Sequence, residues 1–317
     1  MKSRQIKSVL GAVLFMSSIS INAAIIKLVE FESNGQTLNG NLYLPDNYKQ
    51  GDQLPGVVVS GAWTTVKEQM PATYAEKLAD KGYAALAFDF RGWGETAEAS
   101  PASIQFVENP IEKTADISKA IDFMATLPQV DRNKLSTLGV CASAGYAINA
   151  AHENSKAVST AVVAPWLHDR KIVEATYGNN IPKLMEAFEK AQKEGPVLLE
   201  AASDTNEDAV MYQATYYTSP ERGNIPQWDN KFSTLSWGPW LSFDAIETAS
   251  KISKPVLLVH SEAAAIPQGA KKFVKEAGDN VELIMMDEVT QFDFYDNEED
   301  IDQALVQVNR HFQKSYR

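Results

Sequence analysis

Residues Lys134–Ala151 read KLSTLGVCASAGYAINAA, and this stretch decides the fold. Leu135–Val140 is an apolar run of strand length. It passes through Gly139 and a set of small residues into a helical pattern that carries Tyr146 and Ile148. Small residues are needed where a strand turns sharply into a helix, because the two backbones approach closely on a strained turn. A side chain at the apex projects beyond the C-terminal end of the strand, above a helix N-terminus that favours negative charge.

Two registers are open for the apex. Counted from Gly139 the pattern is G-x-C-x-S, with Cys141 at the reactive position; counted two residues later it is C-x-S-x-G, with Ser143 there. Cys141 fits better, because the crowded positions after it are Ser143 and Ala144, whereas the Ser143 register puts bulky Tyr146 into that space. A buried, merely packed cysteine is the competing structural reading.

The same alternation extends along the chain. Ile25–Glu32 and Thr37–Leu44 alternate about Ser33-Asn34-Gly35 and read as an antiparallel hairpin. Gly56–Ser60, Tyr83–Phe88, Val158–Ala164, Lys254–His260 and Val281–Met286 read as buried strands. Helices are expected around Met70, Tyr74 and Leu78, over Ile111–Leu127, near Gln268–Ala277, and over Glu298–Phe312 with Asn297 as N-cap. Strands alternating with helices imply an α/β architecture with a mostly parallel central sheet flanked by helices. Pro165–Ile252 is too long for a loop. It holds one clear helix, Ile181–Glu194, and many aromatics between Tyr212 and Phe243, so it reads as a cap inserted at about 165–252 over the sheet's C-terminal edge.

At 317 residues and 44% apolar composition the chain is globular. Residues 1–24 have a basic start (Lys2, Arg4, Lys7), an apolar Val9–Ile21 and a small-residue end, the pattern of a secretory signal peptide. The expectation is export, periplasmic first and extracellular second, with 25–317 as a single domain and no membrane span. Beyond the signal 26 basic residues face 41 acidic ones, a net −15, which argues against nucleic acid as a partner. No Cys/His cluster has metal-ligand spacing and no glycine-rich phosphate loop is present, so neither metal nor cofactor is expected. Nothing in the sequence speaks to oligomeric state.

From about Gly40 onward the chain resembles the α/β-hydrolases, specifically the dienelactone-hydrolase-like group with a cysteine at the nucleophile elbow. The resemblance rests on the elbow, on Val57–Thr65, on Asp89-Phe90-Arg91-Gly92-Trp93-Gly94-Glu95, and on Thr290-Gln291-Phe292-Asp293-Phe294-Tyr295-Asp296. The Asp89–Glu95 motif is expected to brace a turn. The last stands where relatives carry the catalytic histidine, and here that position is Gln291, an amide that cannot accept a proton from a thiol. The family's acid position falls near Ala264, with Glu262 as the nearby carboxylate.

Other residues are candidates to complete such a site. His168, or Asp169 beside it, lies on the catalytic edge as a displaced base or orienting acid; His260 reads as structural, and His152 and His311 as surface residues. The resemblance supplies an oxyanion hole from the backbone N–H of Ala142 and of Ala62 or Trp63, and makes Glu68 a possible partner of the thiol. Glu68 is equally placed for a capping box with Thr65. A helix N-terminus is expected to lower the Cys141 pKa. The function expected is hydrolysis of a small ester, lactone or thioester through Cys141, with a small apolar substrate. The alternatives are a catalytically impaired relative that binds a hydrophobic small molecule, and a Ser143-dependent esterase.

Overall fold

The computed structural model describes residues 24–317; the signal peptide expected at 1–24 lies, but for its last residue, outside the described residues. The chain opens with the hairpin β1 (Ile25–Ser33) and β2 (Gln36–Leu44), turned at Asn34 and Gly35 with positive φ. There follow β3 (Leu54–Ser60), α1 (Met70–Asp80), β4 (Ala84–Phe88), α2 (Gly94–Ala99), α3 (Pro110–Met124), β5 (Val130–Val140), α4 (Ser143–Glu153) and β6 (Ala157–Val163). Beyond β6 the chain leaves the sheet through α5 (Arg170–Tyr177) and α6 (Ile181–Glu194). It then makes the short pieces β7 (Leu198–Glu200), β8 (Ala202–Ser203), β9 (Met211–Tyr212), α7 (Thr215–Thr218), β10 (Lys231–Ser233) and α8 (Trp237–Ser242). It returns as β11 (Val256–Ser261), α9 (Pro267–Glu276), β12 (Val281–Met286), α10 (Asp293–Asp296) and α11 (Glu298–Ser315).

Eight strands form one sheet in the order β1-β2-β4-β3-β5-β6-β11-β12. Only the β1–β2 and β2–β4 pairings are antiparallel; from β4 to β12 every neighbour is parallel. This is an α/β-hydrolase fold. Its central strands are buried along nearly their whole length, which is why they read as unbroken apolar runs. β5 is longer than its apolar core because polar Asp131–Lys134 precede Leu135, and its first residues, Val130 and Asp131, still pair with Leu54 and Pro55 before the register shifts.

The Asp89–Glu95 motif is a brace. Asp89 accepts from the Lys67 N–H and Nζ, both at 2.8 Å, and from the Glu95 N–H at 3.1 Å. A Cβ on Gly94 would stand 2.5 Å from the Asp89 carboxyl, so only glycine lets the turn close on it. Arg91 forks onto Asp116, with Nε 3.0 Å from Oδ1. Asn297 caps α11 through Glu299 and Asp300. His311, expected at the surface, is buried on the inner face of that helix with Leu305, Val308 and Phe312. Among the described residues no helix is long and apolar enough to cross a membrane.

Candidate active site

The end of β5 and the start of α4 come together so tightly that a Cβ on Gly139 would meet the Ser143 carbonyl oxygen at 2.5 Å. The residue at the apex is Cys141, held in the left-handed region at φ 56°. That conformation is costly for a side chain other than glycine. Three backbone hydrogen bonds hold it: its N–H donates to Val163 at 3.1 Å, and its carbonyl accepts from Ala144 at 3.0 Å and Trp166 at 2.9 Å. Ser143 lies inside the first turn of α4, buried, with its hydroxyl donating to the Gly61 carbonyl. The two registers therefore part cleanly: Cys141 faces a cavity and Ser143 ties α4 to the end of β3.

The cavity measures about 330 Å³, and none of its lining residues is charged. Trp63, Trp166, Trp240, Tyr217, Phe292 and Tyr295 supply most of the wall, with Cys141 and Gln291 opening onto it. Of the aromatics of α7, α8 and the segment between them, Tyr217 and Trp240 reach this wall, while Tyr216, Trp228, Phe232 and Trp237 are buried in the core cluster; Trp63 lies 4.9 Å from the Phe232 and Trp240 ring centres.

The electrostatics of the thiol run against the expected lowering. Burial pushes the Cys141 pKa up; the Tyr295 hydroxyl and the backbone N–H groups of Ala142 and Trp63 pull it partway back. The desolvation of a thiolate in an aromatic cavity outweighs one helix N-terminus. The backbone N–H groups of Ala142 and Trp63 favour the charged form of the sulfur, and of the two candidates for a second oxyanion donor Trp63 lines the cavity while Ala62 does not. Its loop is pinned on several sides. Tyr217 donates to the Trp63 carbonyl at 3.2 Å, Trp228 to the Thr64 carbonyl at 2.9 Å, and the Thr64 N–H donates to the Glu108 carboxylate at 3.3 Å, with Thr64 itself at φ 65°. The Ala62 carbonyl accepts from the Thr65 hydroxyl at 2.7 Å.

Gln291 also opens onto this cavity, fully satisfied. Its Nε2 donates to the Ala164 carbonyl and to the Tyr295 hydroxyl, each at 3.0 Å, and its Oε1 accepts from the Ala265 N–H at 3.0 Å. The remaining candidates are elsewhere. His168 is buried outside the lining, with Nδ1 accepting from Trp166 at 3.0 Å and Nε2 lying 3.2 Å from the Trp240 carbonyl. Burial pushes its pKa down to about 4, so it is a neutral spacer between two tryptophans. Asp169 caps α5 through the Ile172 N–H and pairs with Lys272. Glu262 is exposed and paired with Lys271. Glu68 pairs with Lys67 at 2.8 Å and lines a separate polar cleft of about 500 Å³ that does not include Cys141. Its capping box with Thr65 does not form, since the Thr65 N–H and hydroxyl both donate to the Ala62 carbonyl. His260 bonds the Ala265 carbonyl at 3.1 Å, in keeping with a structural role.

Two residues of the site carried no individual signal. Tyr295 stands in the quoted Thr290–Asp296 segment, but only the folded chain brings it into the cavity that Cys141 lines. Glu108 is wholly buried under the Trp63–Thr64 loop, where it pairs with Lys113 at 2.8 Å and accepts from the Tyr146 hydroxyl at 3.0 Å. Nothing in Phe106-Val107-Glu108-Asn109 marks that carboxylate as an interior one.

Sheet, elbow and paired amides define the α/β-hydrolase class. Residues 38–204 match the model of the dienelactone hydrolase family, and the chain belongs to that family. An uncharacterized protein of Pseudomonas aeruginosa is 28% identical over 282 residues, covering 83% of this chain and 73% of that one. A protein of Eupenicillium brefeldianum named a thiohydrolase is 25% identical over 264 residues, covering 78% of this chain and 80% of that one. An alpha/beta hydrolase from Penicillium superposes with a TM-score of 0.72 at 20% identity, over 91% of this chain and 99% of that one. Family and relatives support a hydrolase.

Proposed function

We propose that the protein opens small ester, lactone or thioester bonds by transferring an apolar acyl group to Cys141. The observation that carries this is the thiol itself, held at φ 56° between the Ala142 and Trp63 amides on an uncharged aromatic cavity. The sulfur attacks the carbonyl carbon, the two N–H groups hold the developing oxyanion, the carbon–heteroatom bond breaks, and water later hydrolyses the acyl-cysteine. The thiol's hydrogen-bonding partners include no imidazole. Leaving groups that depart readily as anions, such as thiolates, enolates and phenolates, therefore suit this site better than alkoxides. A relative named a thiohydrolase supports the thioester end of that range. Deacylation without a general base is expected to be slow, so an acyl-enzyme should accumulate.

The test is intact-mass measurement after mixing with a medium-chain acyl thioester or aryl ester. An adduct of the acyl mass on the wild type and none on Cys141→Ala supports the reading. Equal hydrolysis by Cys141→Ala overturns it and returns Ser143 to consideration. The closed set of hydrogen bonds around Gln291 favours a second reading, binding of a hydrophobic small molecule without turnover; saturable binding with no adduct would establish it. The basic, apolar and small-residue succession of residues 1–24 extends the proposal to an exported protein, which cell fractionation tests.

A further inference from the structure

Most polar side chains of the cavity wall have spent their protons on the protein itself. The Trp166 indole N–H donates to His168 Nδ1 at 3.0 Å, and the Thr176 hydroxyl to the Ile172 carbonyl at 2.8 Å. The Tyr217 hydroxyl donates to the Trp63 carbonyl at 3.2 Å, and the Gln291 amide donates to Ala164 and Tyr295. Tyr177 differs. Its oxygen accepts from the Trp240 indole N–H at 2.7 Å, and an indole nitrogen can only donate, so the phenol keeps its own proton. Among the described residues that proton has no acceptor. Tyr177 and Trp240 both line the cavity, which puts the bond between them at its wall. The Tyr295 oxygen likewise accepts from Gln291, but it stands on α10, whereas Tyr177 ends α5 and is the unspent donor of the cap. Its ring is held edge-on to Trp237 at 6.1 Å.

Buried polar groups are rarely left without a partner. A ligand that is hydrocarbon throughout would displace water from this phenol and leave its proton unpaired, which costs affinity. An oxygen opposite the phenol removes that cost. A charged group has no counter-ion here, since none of the lining residues is charged.

We propose that Tyr177 is a specificity-determining residue that selects acyl groups carrying a carbonyl or ether oxygen in addition to the reacting carbonyl. The proposal rests on the reading of this cavity as the acyl site and names that acyl group more closely. It is uncharged, it packs on the aromatic wall over most of its length, and it places one hydrogen-bond acceptor under the cap.

The experiment uses ketone analogues of the thioester, with CH2 in place of the sulfur, which bind without acyl transfer. One carries a medium-length saturated chain, and the others carry a further ketone at successive positions along it. Dissociation constants are read from tryptophan fluorescence of the full protein, in wild type and in Tyr177→Phe. The wild type is expected to bind at least one oxo analogue as tightly as the plain one, or more tightly. In Y177F the same oxo analogue should lose about tenfold relative to the plain one, because its oxygen then enters the cavity unpaired. An oxo-to-plain ratio equal in the two proteins at every position overturns the proposal. If Y177F does not fold, the wild-type ratios decide alone, and oxo analogues that all bind more weakly than the plain chain overturn it. An acyl adduct on Cys141 without any oxo preference overturns this proposal alone. An oxo preference in a protein that forms no adduct overturns the hydrolytic reading and keeps Tyr177 as a ligand-selecting residue.

Discussion

The Glu108 carboxylate and the Lys113 ammonium meet at 2.8 Å with their side chains 0% and 1% exposed. The pair sits beneath the loop that offers the Trp63 amide to the sulfur, because Glu108 also accepts the Thr64 N–H. Burial pushes the Lys113 pKa down, and the ammonium is held by Glu108 and by the faces of Phe90 and Trp93 at 4.6 and 4.7 Å.

Breaking this pair should cost far more than removing it. Lys113→Met leaves a buried carboxylate without its counter-ion and is expected to lower unfolding free energy by about 3–5 kcal/mol. The double variant Glu108→Gln/Lys113→Met, with no charge left inside, should recover much of that loss. Urea unfolding of the three proteins checks it, and a Lys113→Met loss below about 1 kcal/mol would show the carboxylate to be otherwise satisfied.

At position 291 a base can be restored. Gln291→His should give the thiol an imidazole neighbour and raise ester turnover about tenfold. General-base assistance is commonly worth a hundredfold or more, but Glu262 is out at the surface and the new ring would lack an orienting acid. Iodoacetamide labelling provides the companion readout. In the parent, burial holds the thiol above its ordinary pKa, so the labelling rate should climb only in alkaline buffer. In Q291H the climb should move to lower pH. An unmoved labelling profile together with unchanged turnover would mean that residue 291 does not act on the sulfur.

Acid stability follows from three interior histidines. Burial pushes the pKa of His168, His260 and His311 down to about 4 each. The unfolded chain takes up these protons near pH 6.5 while the folded chain resists until about 4, so stability is present above 6.5 and is lost as pH falls through that window. At pH 5 the loss is roughly 2 kcal/mol per histidine. Urea midpoints measured from pH 8 to pH 4.5 should therefore fall steadily below about 6.5. A flat profile would mean that the three rings are protonated within the fold.

Much of this molecule is readable from one dimension because its determinants are local. The central strands are buried on both faces, so their apolar runs need no knowledge of their neighbours. Gly139, the small residues after it and the helical pattern beyond announce an elbow. Gln291 stands out because a chemical type is missing where the resemblance requires it.

The different surroundings of Cys141 and Ser143 were not local. Both are small and both stand at the turn, and what separates them is a backbone at φ 56° and a Ser143 hydroxyl spent on the Gly61 carbonyl. Proximity along the catalytic edge likewise pointed to His168, Glu68 and Glu262. None of the three lines the thiol's cavity: His168 is held behind its wall by Trp166 and Trp240, Glu68 by Lys67 and Glu262 by Lys271 on α9.

The sequence alone determined the sheet, the elbow and the absence of a histidine at position 291, because periodicity, turn chemistry and residue type are properties of short segments. Only the tertiary structure decided that the thiol is desolvated, that Tyr295 and no histidine lines its cavity, and that Glu108 lies buried beneath the Trp63–Thr64 loop. Those outcomes depend on desolvation and on hydrogen bonds between segments far apart in the chain, such as Tyr217 to Trp63 and Gln291 to Ala164, which come together only when the chain closes on itself.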